Sequence, residues 1–350
     1  MAAMSKNIDK EALSALLQKA CFFYDLPGLS VRVSYRGEEW GGVFGFQNAV
    51  TKVPLREDHV FHMASVTKLL VGTCLLKLCE QGKARLEEKL SFYLPDFKMK
   101  DARFKSITLQ HLLSHTSGMP DVEDYHWNAP ETDKDALRRY VYSDEVQNAD
   151  LLWAPEENRF AYSNIGYEIL GHVIEAITDE VFEEHVSRSL FQPLGMERST
   201  LLTFQRDMRE VACPHNKDDN NHFVVLPTFP YNRSHSPSST LTAPLSDLSL
   251  FAKAFLEGNI LSPDMWRRAL TPVATVPNNG EQICLSWFRR EQDGRVLFGH
   301  EGTDDGFRSS FWICPELSLY TIVCSNLSQA PVKKISKQVF EQFQIKKERR

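Results

Sequence analysis

Ser65-Val-Thr-Lys68 sets a hydroxyl and an amine three residues apart, where a loop gives way to a helical pattern. On a helix that spacing stacks the two side chains on one face. A serine hydroxyl is a weak nucleophile near neutral pH and needs a neighbouring base. A helix N-terminus also favours developing negative charge. The pair therefore has the parts of an activated nucleophile. Alone it is not distinctive. A serine N-cap followed by an exposed lysine has the same spacing, and a chain of 350 residues holds about one such match by chance. A second cluster, Tyr162-Ser-Asn164, opens another helical pattern. A phenol with an ordinary pKa near 10 serves as a base only beside a cation, and Lys68 is the cation these motifs supply. Taken singly, Tyr162 also fits a half-buried aromatic and Asn164 a helix N-cap.

The context is more specific than either cluster. Val60-Phe-His-Met-Ala-Ser-Val-Thr-Lys-Leu-Leu70 is followed by Leu109-Gln-His-Leu-Leu-Ser-His-Thr-Ser-Gly118, then by Tyr162-Ser-Asn-Ile-Gly-Tyr-Glu-Ile-Leu-Gly171 and Pro193-Leu-Gly-Met196. Gly299-His-Glu-Gly302 and Gly306-Phe307 come late in the chain. This order and spacing resembles the serine β-lactamase-like superfamily, on the side of class C β-lactamases, D-alanyl-D-alanine peptidases, D-aminopeptidases and family VIII esterases. The resemblance runs from about Pro27 to Asn326. It implies Ser65 as the acylated nucleophile, Lys68 easing removal of its proton, and Tyr162 acting with Lys68 as base and then protonating the leaving group. It implies that Asn164 orients Lys68 and meets the substrate. The backbone N–H groups of Ser65 and of Thr303, just after Gly302 on an edge strand, would form the oxyanion hole.

Two places depart from the pattern. His300 stands where class C β-lactamases usually carry lysine. A largely neutral imidazole grips a carboxylate less firmly than an ammonium, which favours esters, amides or small peptides over β-lactams. His300 as an edge-strand residue without a chemical part is the plainer reading. Where relatives often show a glycine pair, this chain has Ser238-Ser-Thr240. The preceding stretch with Phe229, Tyr231 and His235 is expected to wall the site.

The elements around these motifs follow from periodicity. Lys10–Tyr24 shows helical spacing, Leu29–Tyr35 alternates as a strand, Arg36-Gly37 turns, and Glu39–Phe46 completes a hairpin. Helices are expected from Ser65 to Gln81, Leu109 to Leu113, Ile165 to Thr178 and Leu245 to Glu257. Cys213–Pro244, rich in Pro, Asn, Ser and His, reads as a long surface loop. Ile283–Arg290, Arg295–Gly299, Phe307–Cys314 and Leu319–Asn326 read as an antiparallel meander, with a closing helix over about Val332–Phe343. The expected fold is α+β of the β-lactamase/transpeptidase type, as a single domain over residues 1–340. An antiparallel sheet of about five strands (about 10–60 and 281–343) would be flanked by the terminal helices. A mostly helical lobe (about 65–272) is inserted, leaving a cleft between the two.

Composition bounds the rest. A net charge of −6 argues against a nucleic-acid partner. No run of about 18 apolar residues suggests a membrane span. Met1–Lys10 does not read as a secretory signal. Seven cysteines with no C-x-x-C pair fit a reducing, cytoplasmic setting. His111 and His115 lack the Glu of a zinc H-E-x-x-H motif, and neither nucleotide-binding glycine motif nor G-x-S-x-G elbow is present. No metal or cofactor is therefore expected, and Lys346–Arg350 reads as a solvated tail. The function expected is a serine hydrolase working through a covalent acyl-enzyme on a small ester, amide or peptide. Its rivals are an acyltransferase on the same fold, a true β-lactamase, and a non-catalytic binding or scaffold protein. Oligomeric state is left open.

Overall fold

The structure, a computed structural model, describes residues 7–343. The tail Lys346–Arg350 lies outside them. An opening helix α1 (Lys10–Phe23), capped by the Asp9 side chain on the Ala12 N–H, leads into β1 (Gly28–Tyr35) and β2 (Glu38–Asn48). Arg36 and Gly37 both take positive φ (53° and 88°), the conformation a two-residue hairpin needs to match strand twist. After the helical centre come β3 (Phe288–Gln292), β4 (Arg295–Asp304), β5 (Phe307–Cys314), β6 (Leu319–Ser325) and a closing helix α5 (Val332–Glu341). The sheet is antiparallel, in the order β2-β1-β6-β5-β4-β3, so the first hairpin pairs directly with the last strand of the meander. In register, Val31 faces Val323 and Val33 faces Thr321.

Among the described residues the sheet holds nine strands, not about five. Two-residue strands at Val53–Pro54, Ala274–Thr275 and Gln282–Ile283 extend its edges. They are too short to leave an alternating pattern in sequence. The expected strand Ile283–Arg290 is in fact broken. Ser286 adopts φ +70°, and its N–H leaves the ladder to bond the Leu113 carbonyl at 2.9 Å.

Alternation along β6 divides the core. Leu319 and Val323 face α1 and α5, packing with Leu13, Leu17, Ile335 and Val339. Tyr320, Ile322 and Cys324 face the other way, into a larger core shared with the central helices. Those are chiefly α2 (Thr67–Glu80), α3 (Asn164–Thr178) and α4 (Leu245–Leu256). In α2 every residue from Thr67 to Leu76 is buried, so this helix is an interior rod rather than an amphipathic surface element.

The segment Cys213–Pro244 is not a surface loop throughout. It begins as a small hairpin, His215–Lys217 with Phe223–Val225. From Tyr231 to Leu245 nearly every residue is buried. Most of its polar side chains fold inward onto partners: Ser234 on Glu131, Ser236 on Glu183, Thr240 on the Leu201 carbonyl. Buried polar groups are tolerated when they are hydrogen-bonded, and polarity alone did not reveal that. The seven cysteines are free thiols, and among the described residues no helix is long and apolar enough to cross a membrane.

Candidate active site

Between Val60 and Leu76 only Ser65 reaches solvent. It sits in a single 3-10 turn, Ala64–Val66, that runs into α2. Several bonds clamp the turn. The Met63 N–H donates to Leu241 O at 2.8 Å, and Thr67 Oγ1 donates to Ala64 O at 2.6 Å while accepting from the Leu241 N–H at 3.1 Å. Ala64 itself holds φ +47°. A left-handed alanine costs on the order of 1 kcal/mol and persists only where its surroundings over-determine it.

Lys68 follows one turn later and is fully buried. Its Nζ lies 3.1 Å from Ser65 Oγ, 2.5 Å from Asn164 Oδ1 and 2.8 Å from Ser238 O. The Asn164 amide is oriented by Asp121, whose Oδ1 accepts from both Asn164 N and Nδ2 at 2.8 Å. With Nδ2 on a carboxylate, the amide oxygen must face Lys68. Burial is the main cause that takes the Lys68 amine down from 10.5 to about 8. Glu168, Asp121 and Asp304 oppose the shift. Two N–H groups of a neutral amine can serve Asn164 Oδ1 and Ser238 O, since neither can donate. The remaining tetrahedral position, the lone pair, then points at the Ser65 hydroxyl.

Tyr162 stands above Lys68, whose Nζ lies 5.1 Å from the ring centroid. Its ring stacks on His115 (4.3 Å, 26°). His115 Nδ1 in turn accepts the Ser163 N–H at 3.1 Å, so this histidine braces the Tyr162-Ser-Asn164 turn. Ser163, not Asn164, caps α3, accepting from Gly166 N–H at 3.0 Å. The Tyr162 hydroxyl is buried without a hydrogen-bond partner. Burial drives its phenol well above the ordinary value.

The third motif belongs to β4, which is longer than its expected end at Gly299. Only Arg295–Gly299 pair with β3, so His300–Asp304 present an open edge within an otherwise inner strand. That edge packs on the Ala64–Val66 turn. Gly302 makes the approach possible: a Cβ there would overlap Met63 O and Ser309 Oγ. Ser309 Oγ ties the two elements, donating to Met63 O at 2.7 Å. His300 is 2% exposed, and its Nδ1 lies 2.6 Å from Glu301 O.

A cavity of about 520 Å³ gathers Ser65, Tyr162, Asn164, His300 and Thr303 on its lining. Lys68 lies beneath it, and Gly302 is buried behind. All seven residues singled out in the sequence thus converge. The expected wall does not. Phe229 and Tyr231 line a neighbouring hollow, and His235 is buried against Glu168 at 3.2 Å. Tyr125 and Trp127, with stacked rings at 5.2 Å, supply the wall instead. Sequence reasoning also missed Asp121, Ser238, His115 and Glu168 as partners. Glu168 alone left a signal, one helical turn after Asn164. His111 accepts the Thr108 N–H through Nδ1 at 3.2 Å, as half of a helix capping box.

Comparisons with known proteins bear on the fold and the family. Protein flp of Staphylococcus aureus (strain N315) is 26% identical over 322 residues, which are 89% of this chain. The chain spans about 61% of the length of that relative. Among solved structures, an octameric penicillin-binding protein homologue from Pyrococcus abyssi superposes with a TM-score of 0.83 at 22% identity. That match covers 96% of this chain and 77% of the homologue. A D-amino acid amidase from Ochrobactrum anthropi SV3 gives 0.81 at 21% identity, covering 95% and 97%. At such identities these structures speak to the fold. The Beta-lactamase family profile matches residues 13–342, and the chain belongs to that family.

Proposed function

We propose that the protein is a serine hydrolase that forms an acyl-enzyme on Ser65 and acts on small esters, amides or peptides. The observation that carries this reading is the set of partners around Lys68 Nζ. Two obligate acceptors hold two of its N–H groups, and its third position faces the Ser65 hydroxyl, where the amine offers a lone pair once it has lost its proton. Ser65 Oγ gives its proton to Lys68 Nζ and attacks the substrate carbonyl carbon. Charge developing on the carbonyl oxygen is met by the backbone N–H groups of Ser65 and Thr303. Such donors are worth about 3–4 kcal/mol each when well placed. The proton passes from Lys68 through the Tyr162 hydroxyl to the leaving group, whose bond to the acyl carbon breaks. Water then attacks the ester, gives its proton back along the same path, and Ser65 is released.

This divides the labour differently from a phenolate base. With Tyr162 driven up and Lys68 brought down, the resting proton belongs on the phenol. Lys68 is then the base and Tyr162 the relay. An amidase among the structural relatives favours amides as well as esters. Transfer to an alcohol or amine would share the first step and is told apart by products formed with added nucleophile. The test is pre-steady-state release of p-nitrophenol from p-nitrophenyl butyrate. A burst equal to the enzyme concentration, absent in Ser65→Ala, is expected. Steady release without a burst, unaffected by that substitution, would reject the reading.

A further inference from the structure

Lys68 Nζ meets two obligate acceptors that come from distant parts of the chain. Asn164 Oδ1 stands at the start of α3, and Ser238 O belongs to a short helical turn, Ser236–Ser239. The turn packs directly on α3, where a Cβ at Gly171 would overlap Pro237. A buried pair ties the two elements together. Glu168 lies one helical turn after Asn164, and its Oε1 is 3.2 Å from Nδ1 of His235, the residue just before the turn. Both side chains are at most 1% exposed, and neither lines the cavity. So one face of α3 supplies the first acceptor and anchors the segment that supplies the second.

A second observation fixes the protons of this pair. His235 Nε2 is buried without a hydrogen-bond partner. If Glu168 held the proton between the two groups, the ring proton would fall on Nε2, where nothing accepts it. A carboxylate on Glu168 and an N–H at His235 Nδ1 leave no donor unsatisfied. Burial pushes the Glu168 carboxyl up, and His235 is the first group to oppose that rise. Tyr125 and Tyr140 set their rings edge-on to His235 at 4.9 and 4.5 Å, and burial raises both phenols, so both stay uncharged. The flanking Glu131 and Glu183 accept from Ser234 and Ser236, and Arg233 pairs with Glu183. At Lys68, burial lowers the amine, while Glu168, then Asp121 and Asp304, raise it. Its other titratable neighbours, His115, His300 and Tyr162, are kept uncharged by burial.

Resting on the hydrolase reading above, we propose that Glu168 and His235 are the positioning pair of the general base. His235 keeps Glu168 a carboxylate within the field of Lys68 and anchors the turn whose Ser238 O holds Nζ. A histidine outside the cavity thereby sets the pH at which Ser65 is activated.

The test is the pH profile of p-nitrophenyl butyrate turnover from pH 5.5 to 9.5, for wild type, His235→Leu, Glu168→Gln, their double variant and His235→Asn. Without its donor Glu168 takes up a proton, Lys68 loses a neighbouring anion, and its amine deprotonates more readily. His235→Leu should therefore move the midpoint of the rising limb down by about one pH unit, the low end of what a neighbouring opposite charge does. Glu168→Gln should move it equally, and the double variant no further, because all three remove the same charge. His235→Asn keeps a donor near the Nδ1 position and should hold the wild-type midpoint. A histidine that only fills space would lower the rate or Tm and leave the midpoint in place, which overturns the proposal. So do single shifts that add in the double variant. If His235→Leu does not fold, the other two singles decide. An unmoved midpoint in Glu168→Gln, or one lowered as far in His235→Asn, overturns it too. These results leave Ser65 acylation and the hydrolase reading standing. Failure of the ester to acylate Ser65 in the wild type removes that reading and this inference with it.

Discussion

If Lys68 is the base, activity must follow its titration. Burial brings its amine from 10.5 to about 8. At pH 7 about one molecule in ten then carries a neutral amine, against about one in three thousand at the ordinary value. The difference is about 3 kcal/mol of lost charge solvation, supplied by a fully buried site. For a neutral ester, kcat/KM should rise about tenfold per pH unit below 7, reach half its maximum near 8, and level off above about 9. The sign is set by desolvation: the depressed amine loses its proton as pH climbs through the folded value. Glu168 raises the Lys68 value, so Glu168→Gln should move the rising limb to lower pH. Glu168, Asp121 and Asp304 oppose the depression, while the neighbouring His115 and His300 are held neutral by burial. The assay is p-nitrophenyl butyrate turnover from pH 5.5 to 9.5 in a constant-ionic-strength buffer, for wild type and Glu168→Gln. A flat profile between pH 6 and 8.5, or a limb that moves upward in the variant, refutes the assignment of Lys68 as base.

Four further outcomes follow from the site. Tyr162→Phe removes a hydroxyl that has no hydrogen-bond partner, so Tm should barely move while kcat/KM falls about 10²–10⁴-fold. Combining it with Lys68→Met should be scarcely worse than the worse single change, because groups acting as one unit are not additive; clean multiplication of the two effects would show separate roles. Gly302→Ala drives a methyl into Met63 O and Ser309 Oγ, and should cost about 1–3 kcal/mol in denaturant unfolding together with most activity, by prising β4 from the nucleophile turn. With His300 in place of the lysine of the β-lactamase pattern, short-chain esters should exceed penicillins and cephalosporins in kcat/KM; a cephalosporin cleaved near about 10⁶ M⁻¹s⁻¹ would contradict that.

Elements with strong local periods were legible in the sequence to within a residue or two. Lys10–Phe23, Leu109–Leu113 and Phe307–Cys314 are examples. That the N-terminal hairpin joins the C-terminal meander in one antiparallel sheet was legible too; which strands meet, β1 and β6, was not. What escaped was non-local. Asp121 sits in a loop 43 residues from Asn164, and Ser238 is 170 residues from Lys68. Each is tied to its partner by tertiary folding alone, and no spacing rule points to either. The polar run Tyr231–Thr242 was misread because composition reports polarity but not satisfaction. Most of its hydroxyls are buried with partners that the sequence does not place, Ser234, Ser236, Ser239 and Thr240 among them. Periodicity alone ended β4 at Gly299, because Gly299 and Gly302 look like breaks in a strand; only the family resemblance put Thr303 on one. Gly302 in fact lets the strand pass against the nucleophile turn.

The claim everything else rests on is that Ser65 becomes covalently acylated. Intact-protein mass spectrometry after mixing with p-nitrophenyl butyrate and acid quench tests it without assuming a natural substrate. The account predicts one butyryl adduct per chain, mapped by digestion to the peptide containing Ser65, decaying with turnover and absent in Ser65→Ala. An adduct on another residue, or turnover of the ester by a folded Ser65→Ala protein at the wild-type rate, would contradict it.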